Sequence, residues 1–504
     1  MPPKQADATW TPERKRAAAF AGSVLVMCAV WLFGISLRVP LWDAESALIA
    51  RPITMRQVFP GGVSQMINMM ILLGIIAGAY LLCLWAVRGG FPHGFAAVIA
   101  ASSLTAVALL PMRPLTSPDV THLAADVRTF WLHGAFPAVS ANAPSQIDDP
   151  IARQVAVYKS GPSGYGPVAY AVGGIPLPFV GDSLAANVAG QKAVGGAFLV
   201  LTAFLAGLVA RRLGQNPALA AAFIGLNPLM LWEFPGDGHN DTIMAAFGVA
   251  ALLFVLQTPW RARGIGVGFA LTAVLSKFSL VLASPVVVAS WFPRWRRHIA
   301  VGLVLLGGLT IAVLALRIGP QIGTIGPASA LSLTTPQNVV SHWFDGGTGF
   351  RNWIVLLSYA AFIVIAAAVV VLHRLDGLQD QIAAIALLMW LFVFACSPGM
   401  LPWYQIWYLP FVALSGRRWL IVASLVFSIG GFLPILSLNW QRDLTVQLGI
   451  AEPVDIAVLL LWGATAVTAL VIRRSDRRSA RPRPGPTSRQ AARASQRRPA
   501  GSRG

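Results

Sequence analysis

Residues 66–87 read MINMMILLGIIAGAYLLCLWAV, an uninterrupted run of 22 residues without a charge, closed by Arg88. As a helix rising about 1.5 Å per residue, this stretch is about 33 Å long, enough to cross the hydrocarbon core of a bilayer. Apolar stretches of similar kind recur along nearly the whole chain of 504 residues, of which 56% are hydrophobic and only 11% charged. A soluble globular chain carries roughly a quarter charged residues, so the charges here cannot coat several soluble domains. The same composition excludes a disordered chain, a coiled coil and a disulfide-rich secreted scaffold. Cys28, Cys83 and Cys396 lie in or beside apolar stretches with no zinc or disulfide spacing, and read as packing residues. The sequence predicts an all-α polytopic membrane protein.

Charge placement orients it. The net charge is +19, and eleven Arg against one Asp fall between Arg473 and Arg503. Residues 474–504 are rich in Pro, Ser and Gly and lack apolar periodicity, so they are expected to form a disordered basic tail at the cytoplasmic face. No recognition fold accompanies that charge, and nucleic acid is not an expected partner. Residues 1–16, ending in Arg14-Lys15-Arg16, form the expected cytoplasmic N-terminus, and 17–473 the membrane domain. Basic residues flank cytoplasmic ends of spans. On that rule spans fall at 17–37, 66–87, 94–112, 188–210, 217–233, 242–258, 299–318, 353–372, 382–398, 403–416, 419–437 and 454–472.

Two stretches need separate treatment. Residues 113–187 form a large outer loop containing a short apolar piece, 165–180, read as a juxtamembrane or re-entrant helix. Residues 264–292 have basic flanks on both sides and Ser276-Lys277 near the centre. A helical hairpin with Lys277 at its outer tip satisfies both facts. The reading gives about thirteen membrane passes with both termini cytoplasmic. Fourteen of the 19 acidic residues then fall outside or at the outer border.

Four clusters on that acidic face can carry chemistry. Ser117-Pro118-Asp119-Val120 follows the third span, with Asp126 and Arg128 next. A carboxylate on a Pro-introduced turn suits a general base for a sugar hydroxyl, and equally suits a helix N-cap. Gly161-Pro162-Ser163-Gly164-Tyr165-Gly166-Pro167 makes a tight turn and offers the Tyr165 ring as a face on which a pyranose can stack. Asn227-Pro228 precedes Glu233, Asp237, His239, Asn240 and Asp241, polar groups that are costly at a span end unless solvated or used. Their spacing is too short and generic to indicate a metal, and hydrogen bonding to sugar hydroxyls or to a neighbouring loop is the expectation. Lys277, alone in an apolar stretch, calls for an anionic partner such as a lipid phosphate, or snorkels to the interface. Trp403-Tyr404 and Trp407-Tyr408 accompany it from a later span.

Taken in order, these pieces resemble the GT-C superfamily of polytopic glycosyltransferases, and within it the actinobacterial polyprenol-phosphate-mannose-dependent α-1,6-mannosyltransferases. The matching stretches are Ser117-Pro118-Asp119-Val120, Asp149-Pro150, Tyr165-Gly166-Pro167, Asn227-Pro228 with Gly238-His239-Asn240-Asp241, Ser276-Lys277 and Pro402-Trp403-Tyr404. Thr121 stands where the family has Tyr after Asp-Val. The resemblance implies a GT-C-like bundle that moves a hexosyl unit, mannose first among the candidates, from a polyprenyl-phosphate donor to a cell-envelope glycolipid acceptor on the outer face, with inversion. In that reading Asp119 is the base and Lys277 holds the phosphate. Asp237, His239, Asn240 and Asp241 line the sugar pocket, with Tyr165, Asp126, Arg128, Trp403 and Tyr404 as further substrate contacts. A fixed cation can offset the charge on a leaving monophosphate, so no metal or other cofactor is expected. A GT-C transferase for another polyprenyl-phosphate sugar, or a lipid-sugar flippase, remains the alternative.

Overall fold

A computed structural model describes residues 11–42, 55–117, 119–137, 147–155, 164–255, 260–318, 335–344 and 347–479. Among these the regular structure is helical, and the only extended pairing is an isolated antiparallel bridge between Pro40 and Met112. The longer helices are α1 (Pro12–Ala29), α2 (Val63–Gly89), α3 (Gly94–Leu109), α4 (Asp119–His133), α5 (Pro167–Gly173), α6 (Leu184–Arg212), α7 (Pro217–Gly225) and α8 (Asp241–Val255). They continue with α9 (Trp260–Ser276), α10 (Ser284–Trp291), α11 (Arg296–Ile318), α12 (Thr348–Leu372), α13 (Leu378–Leu391), α14 (Arg418–Gly430) and α15 (Pro453–Ser479).

Seven helices among the described residues are long and apolar enough to cross a membrane, and nine if two bent pairs each count as one span. The protein is thus a polytopic helical membrane protein. Its outward faces agree: Leu305, Leu306 and Leu309 on α11 and Leu357 and Val364 on α12 are each at least 60% exposed. Such a surface contacts lipid, where a helix satisfies all its backbone groups internally.

The count of passes differs from the expectation for identifiable reasons. α3 and α8 are apolar but short of 18 residues. The expected span 403–416 is a 3₁₀ turn, Pro402–Trp407, followed by a six-residue helix, Leu409–Leu414. Parity adds a correction. Two termini on one face require an even number of passes, so thirteen is incompatible with the terminal assignment made alongside it, and the stretches enumerated above sum to fourteen.

The chain breaks where its sequence is punctuated. Asn227 ends α7 and caps the next turn by accepting from the Leu229 and Met230 amides at 3.1 and 3.4 Å. The two pieces, Pro217–Gly225 and Pro228–Gly236, meet at 51°. The apolar piece 165–180 divides into α5 and a four-residue helix, Leu177–Val180. The stretch 264–292 breaks at Lys277, whose extended backbone separates α9 from a 3₁₀ turn leading into α10. Those two arms have different neighbours: α9 packs on α8 and α5, and α10 on α12 and α13. α15 continues to Ser479, taking in the first six residues of the expected tail. The rest of that tail, and Gly161-Pro162-Ser163, lie outside the described residues.

Candidate active site

α6 runs through the middle of the bundle against α3, α7 and α8, and also touches α4. Those elements deliver the polar residues to one place. The segment joining α3 to α4 is held from both sides. Asp237 accepts from the Leu115 and Thr116 amides, both at 2.8 Å, and from the Thr116 hydroxyl. Lys192, on α6 and fully buried, donates to the carbonyls of Leu109 and Leu110 at 3.0 and 2.8 Å and to that of Met112. One side chain therefore satisfies the open end of α3, and the other fixes the turn that leads to Asp119. Asp119 opens α4, its amide donating to Ser117 Oγ at 3.1 Å. Gly238 is at φ +86°, and a β-carbon there would lie 2.4 Å from Val120 Cγ2. Only glycine brings the 237–241 loop this close to the start of α4.

A second contact joins the 165–167 turn to the Lys277 break. The Gly166 amide donates to the Ser276 carbonyl at 3.0 Å. A β-carbon on Gly166 would fall 2.0 Å from the Leu275 carbonyl oxygen, which leaves no room for any other residue. Lys277 Nζ then lies 4.8 Å from the Tyr165 ring centroid, 5.1 Å from that of Tyr404 and 5.4 Å from that of Trp407. It donates to Asp241 Oδ1 at 2.6 Å, and Trp407 Nε1 donates to the same oxygen at 2.6 Å. Tyr404 and Trp407 stack at 4.0 Å, and His239 stacks on Trp403 at 3.6 Å. Burial pushes the Tyr165 phenol well above its ordinary range, and the neighbouring carboxylates of Asp241, Asp119 and Asp126 push it the same way. All three carboxylates therefore act electrostatically on the same phenol.

Several buried polar atoms here have no hydrogen-bond partner among the described residues: Glu233 Oε1, His239 Nδ1, both amide atoms of Asn240, and Asp241 Oδ2. Orphaned groups at this density are costly unless a ligand satisfies them. The set combines carboxylate and amide acceptors with amide and imidazole nitrogens, which suits hydroxyl groups.

The family model for the alpha-(1->6)-mannopyranosyltransferase N-terminal domain matches residues 16–293. The chain belongs to the alpha-(1->6)-mannopyranosyltransferase family. It is 24% identical over 470 residues to alpha-(1->6)-mannopyranosyltransferase B of Corynebacterium glutamicum, which covers 80% of this chain and 76% of the relative. It is 24% identical over 253 residues to alpha-(1->6)-mannopyranosyltransferase A of Mycobacterium tuberculosis, covering 44% and 48% of the two chains. No solved structure matches it. As a member of this family the chain is a membrane mannosyltransferase, an enzyme that takes a sugar donor and an acceptor.

Of the residues singled out from the sequence of this mannosyltransferase, Asp119, Tyr165, His239, Asn240, Asp241, Lys277, Trp403 and Tyr404 converge as described. Asp126 is fully buried one turn past His122, 3.5 Å from its Nε2. Asp237 is engaged by the backbone of Leu115 and Thr116, so it shapes the site through the loop it holds. Arg128 is engaged as well, donating to Asp149, Asp182 and the Gly181 carbonyl. Burial alone would raise the Asp149 carboxyl, but the Arg128 guanidinium and the Ala152 and Ile151 amides bring it below the usual carboxylate range. This knot ties α4 to the start of α6. Sequence reasoning missed Lys192, whose only signal was a lone cation in an otherwise apolar span. Trp407 it placed in the neighbourhood without a role. Glu233 it noted only as part of an acidic run.

Proposed function

We propose that this mannosyltransferase moves a mannosyl unit from a polyprenyl-phosphate donor to a cell-envelope glycolipid acceptor at the outer face of the membrane, inverting the anomeric centre. The observation that carries the reading is the meeting of Lys277, Asp241, Tyr165 and the Trp403–Trp407 turn around one point; Asp119, at the start of α4, is near enough to act on the Tyr165 phenol. A cation facing aromatic rings at a break between membrane helices suits a lipid-borne phosphate with its sugar against the rings. Asp119 removes the proton from the acceptor hydroxyl. The freed oxygen attacks the anomeric carbon from the face opposite the phosphate, the bond from that carbon to the phosphate oxygen breaks, and polyprenyl phosphate leaves. Lys277 offsets the charge that grows on the leaving oxygen. Glu233, His239, Asn240 and Asp241 take the sugar hydroxyls. The binding and acid–base groups just named perform each step without a resident cofactor.

In this reading residues 17–473 form one membrane domain, with 113–187 and the tip at Lys277 outside and both termini in the cytoplasm. The relatives' names support mannose and a 1,6 linkage. The test supplies purified protein in bilayers with labelled polyprenyl-phosphate mannose, arabinose or glucose and a lipid-extract acceptor. Transfer from the mannose donor, lost in Asp119→Asn by a factor of about 10²–10⁴ with donor binding retained, is the expected result. Preference for another donor sugar would displace mannose, and near-normal transfer by Asp119→Asn would displace the base.

A further inference from the structure

At the opposite end of the bundle from the site, by the threading proposed above, two adjoining cavities of about 500 and 540 Å³ share His373, Leu387, Arg417 and Arg473 as lining. Four chain segments converge there: the end of α12, the start of α13, the 415–418 turn and the end of α15. Arg374, Arg417, Arg418, Arg473 and Arg477 line the two cavities, against Asp380 and Asp476. Arg417 is paired with Asp380 at 2.9 Å. Among the described residues, no carboxylate pairs with Arg374, Arg418, Arg473 or Arg477. Arg473 instead lies 5.5 Å from the Trp419 ring centroid, held beside the cavity mouth. The remaining wall is apolar: Ile365, Val369, Leu372, Leu387 and Leu391 descend from it along α12 and α13, and Leu372 is 82% exposed.

A positive-inside pattern alone would scatter these arginines over the surface. Here they surround a concavity that continues into a lipid-facing apolar wall. We propose that this pocket binds an anionic phospholipid of the inner leaflet, with its phosphate among the arginines and its acyl chains along α12 and α13. Both cavities fall within the usual range for ligand pockets, about 300–1,000 Å³. Basic pockets between helices at the cytoplasmic side are suited to phosphate head groups. A free phosphate has no use for the apolar wall, and an uncharged lipid has none for the arginines. The site is independent of the catalytic reading.

Full-length protein reconstituted in phosphatidylcholine nanodiscs is titrated with phosphatidylglycerol, with bound lipid read by native mass spectrometry and stability by thermal unfolding. Wild type is expected to retain phosphatidylglycerol selectively and to unfold at a higher temperature with it. Arg374→Gln/Arg473→Gln should weaken that binding about 30-fold, the combined effect of two basic residues at an anionic surface. Neither substitution breaks an ion pair, and in pure phosphatidylcholine the variant should unfold as wild type does. Should it fail to insert, Arg374→Lys/Arg473→Lys keeps the charge and should keep most of the affinity. Arg294→Gln/Arg297→Gln, at residues that line neither cavity, should change little. Equal losses in this control would mean general surface attraction and overturn the proposal, as would a variant that binds as tightly as wild type. Equal stabilisation by inorganic phosphate alone would overturn the lipid assignment.

Discussion

Lys277 has two roles in the structure, and they separate in a mutant cycle. Asp241 is 1% exposed, and its Oδ1 accepts from both Lys277 and Trp407. Lys277→Met removes the only cation paired with that carboxylate among the described residues and leaves it buried with one neutral donor. Breaking a buried ion pair in this way costs about 3–5 kcal/mol. Asp241→Asn alone leaves Lys277 with aromatic faces and 13% side-chain exposure, a smaller loss because the ammonium still reaches water. The double variant strands no charge and should recover most of the stability lost in Lys277→Met. Transfer behaves differently. If Lys277 offsets charge on the leaving phosphate, both variants lacking it lose about 10²-fold or more in turnover. The assay pairs thermal unfolding in detergent with the initial rate of transfer from polyprenyl-phosphate mannose. A double variant that regains both stability and transfer would show that Lys277 serves only to neutralise Asp241. A Lys277→Met protein as stable as wild type would refute the burial argument.

Gly166→Ala should abolish transfer and lower the unfolding temperature, because its β-carbon meets backbone carbonyl, which cannot swing aside; unchanged activity would mean the 165–167 turn does not need its contact with Leu275 and Ser276. His342, on the helix Pro336–Trp343, donates from Nδ1 to Asp455 Oδ2 at 2.9 Å, and that bond raises its pKa above the ordinary 6.5. A raised histidine pKa contributes stability fully present below about pH 6.5 and lost as pH rises through the higher value. The protection factors of amides 336–343, which are corrected for the intrinsic rise of exchange with pH, should therefore fall from pH 6 to 8, and His342→Gln should flatten that dependence. Single cysteines at 148 and 474, in a protein whose native cysteines are replaced by Ala, should react with an impermeant reagent from outside and only after permeabilisation, respectively. Labelling in the reverse pattern would invert the proposed orientation.

Much of this arrangement was legible in the sequence. Charge-free runs with basic ends located the helices, because in a bilayer length and charge leave few choices. The break at Lys277 followed from the same logic, with cationic flanks on both sides and a lone cation between them. What stayed hidden were pairings set by tertiary approach. Asp237 and His239 are two residues apart and looked alike as sugar ligands, yet one is engaged by backbone amides and the other lies against Trp403. Nothing local to Arg128 reveals that Asp149 and Asp182 reach it from 21 and 54 positions away. Pass counting was weakest where short helices and 3₁₀ turns share an apolar stretch, since hydropathy does not distinguish a crossing from a turn buried in protein.

The Gly166 contact constrains how a substrate can enter. A backbone hydrogen bond with no space for a side chain is a rigid weld, so the turn bearing Tyr165 and the break bearing Lys277 travel as one jaw. The Pro402–Trp407 turn meets Lys277 through the Tyr404 and Trp407 ring faces, and the neighbouring 237–241 loop through the His239–Trp403 stack and the Trp407–Asp241 bond. Stacked rings can slide without breaking a backbone contact. If the donor is the lipid-borne sugar proposed above, an opening that admits it is expected between the jaw and the aromatic turn, with the Trp407 indole moving aside.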